Sequence, residues 1–154
     1  MTNNLTDTQK TDAYASKMEF SENVMNTCVN RITKEEILKN GTSMNWQFII
    51  NVRKHVEKNI GNQQFNVDML CSLMGMSRTS FYNKLKSLTD QAPADYIRLI
   101  RLEYAIRLLR EGEHNITEIS EMTGFNDARY FRQVFKKYFK ISPSQYSKKI
   151  REHR

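Results

Sequence analysis

An internal repeat constrains this chain more than any other feature. Two stretches, Val67–Tyr96 and Ile116–Tyr146, carry similar residue types in the same order. Val67, Leu70 and Gly75 correspond to Ile116, Ile119 and Gly124 at an offset of 49. One extra residue follows the second glycine. Phe81, Leu85, Lys86, Pro93 and Tyr96 then correspond to Phe131, Phe135, Lys136, Pro143 and Tyr146 at an offset of 50. Each copy reads as a short helix, a glycine turn, a longer basic helix and a helix opened by proline. Those are helix-turn-helix proportions. The turn needs a residue that tolerates positive φ, and Gly75 and Gly124 supply it. Either glycine alone reads as an ordinary helix stop. The matched flanks of the two copies carry the argument.

Apolar periodicity predicts an all-α chain of about seven helices, two helix-turn-helix subdomains joined by a long connecting helix. Ile49, Val52, Val56 and Ile60 predict a first helix over 44–60, stopped at Gly61. A second opens at Asn66 or Val67, turns Leu70, Leu73 and Met74 inward, and breaks at Gly75. Ser77 caps a third, with Phe81, Leu85 and Leu88 inward. Pro93 opens the connecting helix, 93–111, which carries Tyr96, Ile97, Ile100, Tyr104, Ala105, Leu108 and Leu109 inward and ends at Gly112. A fifth carries Ile116, Ile119 and Met122 and stops at Gly124. Asn126 caps a sixth, with Phe131 and Phe135 inward and Tyr138 beyond, and Pro143 opens a last helix with Tyr146 and Ile150. The folded domain is expected over 44–154. Residues 1–43 read as a polar tail or linker, partly disordered, in which Thr33 and Glu36 have capping-box spacing before Ile37 and Leu38.

Charge narrows the partners. The 154 residues carry a formal net charge of +7, with a pI near 9.5. A polyanion fits that balance, either nucleic acid or an acidic membrane surface. The charge is uneven. Residues 44–154 hold 19 Lys/Arg against 11 Asp/Glu, while residues 1–43 hold 5 against 6. Cys28 and Cys71 lie too far apart for a metal or redox motif, and Cys71 reads as a small core residue. No apolar run approaches the roughly 18 residues of a membrane span, and residues 1–20 lack the apolar core of a secretory signal, so the expected location is cytoplasmic. His55, His114 and His153 are scattered, with no phosphate loop or nucleophile motif. The sequence therefore predicts no enzyme, no catalytic residue, no metal site and no cofactor.

The two longer helices follow the glycine turns, where a recognition helix belongs. Helical spacing turns Arg78, Thr79, Tyr82, Asn83 and Lys86 outward on the first, and Arg129, Arg132, Gln133, Lys136 and Lys137 on the second. Arg, Asn and Gln read base edges bidentately in the major groove. Lys suits phosphates, which assigns that role to Lys86, Lys136 and Lys137. A merely solvated face would mix signs, yet residues 128–154 hold nine Lys/Arg and one acid, Glu152. A membrane-surface helix needs an exposed apolar face, which the core consumes here. A helix-turn-helix module that docks a protein and does not bind DNA remains the alternative. An acidic or apolar sixth helix would favour it.

These residues resemble the AraC-type family of bacterial transcription regulators. The segment ITEISEMTGFNDARYFRQVFKKYFKISPSQY, Ile116–Tyr146, is similar to that family's signature. GMSRTSFYNKLKSLTDQAP, Gly75–Pro93, is similar to its first recognition helix, and YIRLIRLEYAIRLL, Tyr96–Leu109, to its connecting helix. The resemblance covers about 60–150. It implies sequence-specific binding of double-stranded DNA, with recognition helices at about 77–88 and 127–138. Arg78, Thr79, Tyr82 and Asn83 fall at base-facing positions of the first; Ala128, Arg129, Arg132 and Gln133 do so in the second. The connecting helix would span about 27 Å, suited to successive major grooves about 34 Å apart. Asp90 and Lys140 stand where the family usually has Gly, which puts the local turn geometry in question. Ser147 stands where Arg is usual, so one phosphate contact is expected to be missing. Asn126-Asp127-Ala128-Arg129-Tyr130-Phe131 is also similar to output domains of hybrid two-component regulators, on which reading residues 1–43 are a linker after a receiver domain. The further partners implied are RNA polymerase and a second copy, dimerised through a part outside this chain.

Overall fold

The computed structural model describes residues 43–153, and these form seven helices and no strand: α1 (Ser43–Lys58), α2 (Val67–Met74), α3 (Arg78–Thr89), α4 (Pro93–Glu111), α5 (Ile116–Met122), α6 (Ala128–Phe139) and α7 (Pro143–Glu152). The capping-box spacing at Thr33 and Glu36 and residues 1–42 of the expected tail lie outside the described residues, while Ser43, expected in the tail, opens α1. The recognition-type helices α3 and α6 start and end within a residue of their expected bounds.

The repeat is visible in the backbone. Gly75 and Gly124 both take positive φ, 65° and 78°. Asp90 and Lys140, in place of glycine, take the same left-handed conformation, φ 62° and 66°, and close α3 and α6 by donating their N–H to Lys86 O and Lys136 O. The turn geometry therefore survives both substitutions, at the cost that a β-carbon brings in that region. The extra residue of the second copy lies in its turn. Ser77 caps α3 two residues after Gly75, whereas α6 is capped three residues after Gly124, by Asp127 accepting from the Tyr130 N–H. This corrects the expected cap, Asn126, which lies one residue too early.

Two hydrophobic cores form, and α4 serves both. Its first half gives Tyr96, Ile97 and Ile100 to a core with Phe48, Ile49, Val52, Val56, Leu70, Phe81 and Leu85. Its second half gives Leu102, Ala105 and Leu109 to a core with Ile119, Phe125, Phe131, Phe135 and Tyr146. A helix buried on two sides needs more than one stripe. Leu99 and Leu102, outside the expected stripe, are accordingly buried, while Tyr104 and Leu108 are only half-buried. Arg53 on α1 donates to Glu103 on α4 at 2.9 Å, tying the first core to the connecting helix.

Three further expectations are corrected. Leu73 and Met122 are exposed, 50% and 41%. They occupy equivalent places in the repeat. At about 100° per residue, each points about 110° away from the face that buries Leu70 and Cys71, or Ile119 and Ser120. The first helix ends at Lys58, short of residue 60. Asn59 Nδ2 donates to the His55 carbonyl there, occupying a helix-end acceptor, and the chain continues in turns. Gly61 is not a left-handed stop; it lies against the Met122 carbonyl, which a β-carbon would meet at 3.4 Å.

Candidate nucleic-acid interface

The outward faces of α3 and α6 are the same positions in two copies. Arg78, Thr79, Tyr82, Asn83 and Lys86 correspond at an offset of 50 to Ala128, Arg129, Arg132, Gln133 and Lys136, and Lys137 follows on the same face. All are exposed except Ala128, which is half-buried. Behind each helix stands the opposite face. Phe81, Leu85 and Thr89 are buried on α3; Phe131, Val134, Phe135 and Phe139 are buried on α6. Aromatic contacts hold α6 in place. Phe131 meets Phe125 at 5.0 Å and Phe135 at 5.8 Å, and Phe135 meets Phe139 at 4.6 Å and Tyr146 at 5.9 Å between centroids. Under α3 the aromatic contact is Phe48–Phe81 at 5.8 Å. Rigid backing of this kind fixes where an exposed side chain points.

The two faces differ in how their side chains are held. On α3, Arg78 Nη1 donates to Asp68 Oδ1 of α2 at 3.0 Å. Lys86 Nζ lies 5.6 Å from the Tyr82 ring centre and donates to its hydroxyl at 3.4 Å. Lys84 is turned back over the Phe48 ring at 4.6 Å. On α6, the side chains of Arg129, Arg132, Gln133, Lys136 and Lys137 make no hydrogen bond or ion pair among the described residues. Their donors face solvent unclaimed. The candidate residues thus form two separate helix faces, one per unit, of which α6 is the more strongly basic.

Sequence reasoning missed a cleft between the units. It has a volume of about 250 Å³, and its walls include Asn66, Arg98, Arg101, Phe125 and Tyr130. Arg101 Nη2 donates to the Asn62 and Phe65 carbonyls at 3.2 and 3.4 Å. Burial pulls its guanidinium below the usual arginine range, and the positive charge of Arg98 adds to that. Arg98 itself donates to Asp95 at 2.7 Å. The only sequence signal was Arg98 and Arg101, two of the four arginines of α4. Among the described residues, no group of His, Cys, Asp or Glu is arranged to hold a metal ion, and no helix is long and apolar enough to cross a membrane. Cys71 is buried, as expected of a core residue.

Residues 70–149 match a family described as a helix-turn-helix domain. Histidine kinase P4 of Formosa agariphila is 34% identical over 155 residues, covering 92% of this chain but 11% of the kinase. The chain therefore spans about a tenth of that relative's length. Two solved structures share the fold at useful identity. The C-terminal domain of the two-component response regulator yesN from Fusobacterium nucleatum is 31% identical with a TM-score of 0.58, over 62% of this chain and 93% of that one. The DNA-binding domain of AdpA, a global transcriptional factor solved in complex with a target DNA, is 28% identical with a TM-score of 0.63, over 67% and 92%. The tandem units, the left-handed turns that replace the usual glycines and these likenesses agree: the chain belongs to the AraC-type family of helix-turn-helix transcription regulators.

Proposed function

We propose that this chain contains the DNA-reading unit of a bacterial transcription regulator, binding double-stranded DNA sequence-specifically through α3 and α6. One observation carries the reading: the α6 face presents two guanidiniums, an amide and two ammoniums without partners among the described residues, backed by a packed aromatic core. Thr79, Tyr82, Asn83, Ala128, Arg129, Arg132 and Gln133 face the bases, with Arg78 at the edge. Lys86, Lys136 and Lys137 take phosphates. α4, 19 residues long, sets the two helices into successive major grooves. The likeness to a histidine kinase and a response regulator supports an output role in a two-component system. RNA polymerase is then the partner, dimerisation falls to a part outside this chain, and the site of action is the cytoplasm.

Fluorescence anisotropy on random duplex tests the reading. With roughly 6 phosphates neutralised, log K falls with log salt at a slope near −5. Undetectable binding at micromolar protein and low salt would favour a protein-docking module instead.

A further inference from the structure

We propose that the two recognition helices read chemically different half-sites: α6 a guanine-containing one, α3 one built of A·T pairs alone. The inference rests on the DNA-binding reading above and deepens it.

The argument compares equivalent positions. Asn83 and Gln133 correspond, and both are amides, the side chains that pair bidentately with adenine N6 and N7. The other reading positions diverge. Arg129 and Arg132 on α6 stand where α3 has Thr79 and Tyr82. Arg is the commonest bidentate reader of guanine O6 and N7. Thr offers a methyl and a hydroxyl, and Tyr a ring; their apolar surfaces match the thymine methyl. No guanidinium therefore stands at 79, 82 or 83. The one guanidinium on α3, Arg78, donates to Asp68 on the neighbouring helix. Its equivalent on α6, Ala128, has no polar side chain, so the guanidiniums of the two faces stand at different positions of the repeat. Tyr82 is also tied to its own helix, where Lys86 Nζ donates to its hydroxyl at 3.4 Å. An apolar ring face next to an adenine-reading amide suits A·T pairs.

The experiment is selection of bound duplexes from a pool with about 30 random base pairs, three helical turns, using the full chain and two variants. The parent should enrich two elements one turn apart, one with guanine and one without. Arg129→Ala marks the α6 half, since guanine enrichment should fall there while the other half is unchanged. Thr79→Arg should bring a new guanine into the half that lacked it. Both positions are exposed, and a thermal melt alongside confirms that each variant is folded. Guanine enriched in both halves of the parent site overturns the proposal, as does a Thr79→Arg site identical to the parent's. Tight binding with no enriched motif overturns it and leaves DNA binding standing. No binding to any duplex at low salt overturns both.

Discussion

Gly75 and Gly124 hold equivalent turns, yet a side chain at each would meet different surroundings. A β-carbon on Gly75 meets nothing within 4 Å, so only its left-handed φ opposes substitution. A β-carbon on Gly124 would run into the Ile60 carbonyl and press on Arg101 as well. Gly75→Ala should therefore cost about 1–2 kcal/mol, the strain of a left-handed non-glycine residue. Gly124→Ala should cost clearly more, because backbone must move. Thermal melts of the two variants check the order, and equal losses would mean that the close approach to Ile60 relaxes freely. Readers and anchors separate at the same scale. Arg129→Ala or Arg132→Ala should weaken the preferred duplex by about 1–3 kcal/mol more than a scrambled one. Lys136→Ala should weaken both alike and reduce the salt slope by about 1. Paired titrations decide it. The positions of these side chains were legible from helical spacing alone, because 3.6-residue periodicity separates Arg129 and Lys136 from Phe131 and Phe135. The tether of Arg78 to Asp68 was not, since it crosses from one helix to another.

The elements were legible where the chain signals its own ends. Ser77, Gly112 and the two prolines act within one turn of their own position, and the helices they bound came out as expected. Leu73, Met122 and the interior of α4 misled, because burial there depends on where a neighbouring helix lies. α4 also shows how the two copies differ in chemistry. Tyr146 accepts a hydrogen bond from Arg110 Nε at 3.2 Å. Its equivalent, Tyr96, is buried beside the Arg53 guanidinium with its hydroxyl in no well-formed hydrogen bond. Burial pushes the Tyr96 phenol up to about 12, with Arg53 pulling the other way. A raised folded-state value favours the neutral phenol. Its contribution to stability is complete below the ordinary value near 10 and is lost as pH rises toward 12. Unfolding midpoints should accordingly fall across that window, and Tyr96→Phe should flatten the fall. An unaltered alkaline limb in the variant would place the loss in other groups.

At the scale of the molecule, the units are fixed to each other by more than α4. The turn after α1 lies against the second glycine turn, with Ile60 at Gly124 and Gly61 at Met122, and Arg101 bridges from α4 to the Asn62 and Phe65 carbonyls. These contacts oppose a hinge between the units, since opening one would part Ile60 from Gly124 and Gly61 from Met122. That rigidity sets a requirement on the proposed site. α4 measures about 28 Å by its 19 residues, close to one turn of duplex but well short of two. Once a preferred site has been selected, inserting about 5 base pairs between its halves, half a turn, should turn one half away from its helix and reduce affinity to that of random duplex. Inserting a full turn restores the facing but not the distance, so it should rescue nothing. Titration of the three duplexes at one salt concentration reads this directly. Recovery with the full-turn insertion would mean that the two units separate on DNA, and that the contact between Ile60 and Gly124 opens when they do.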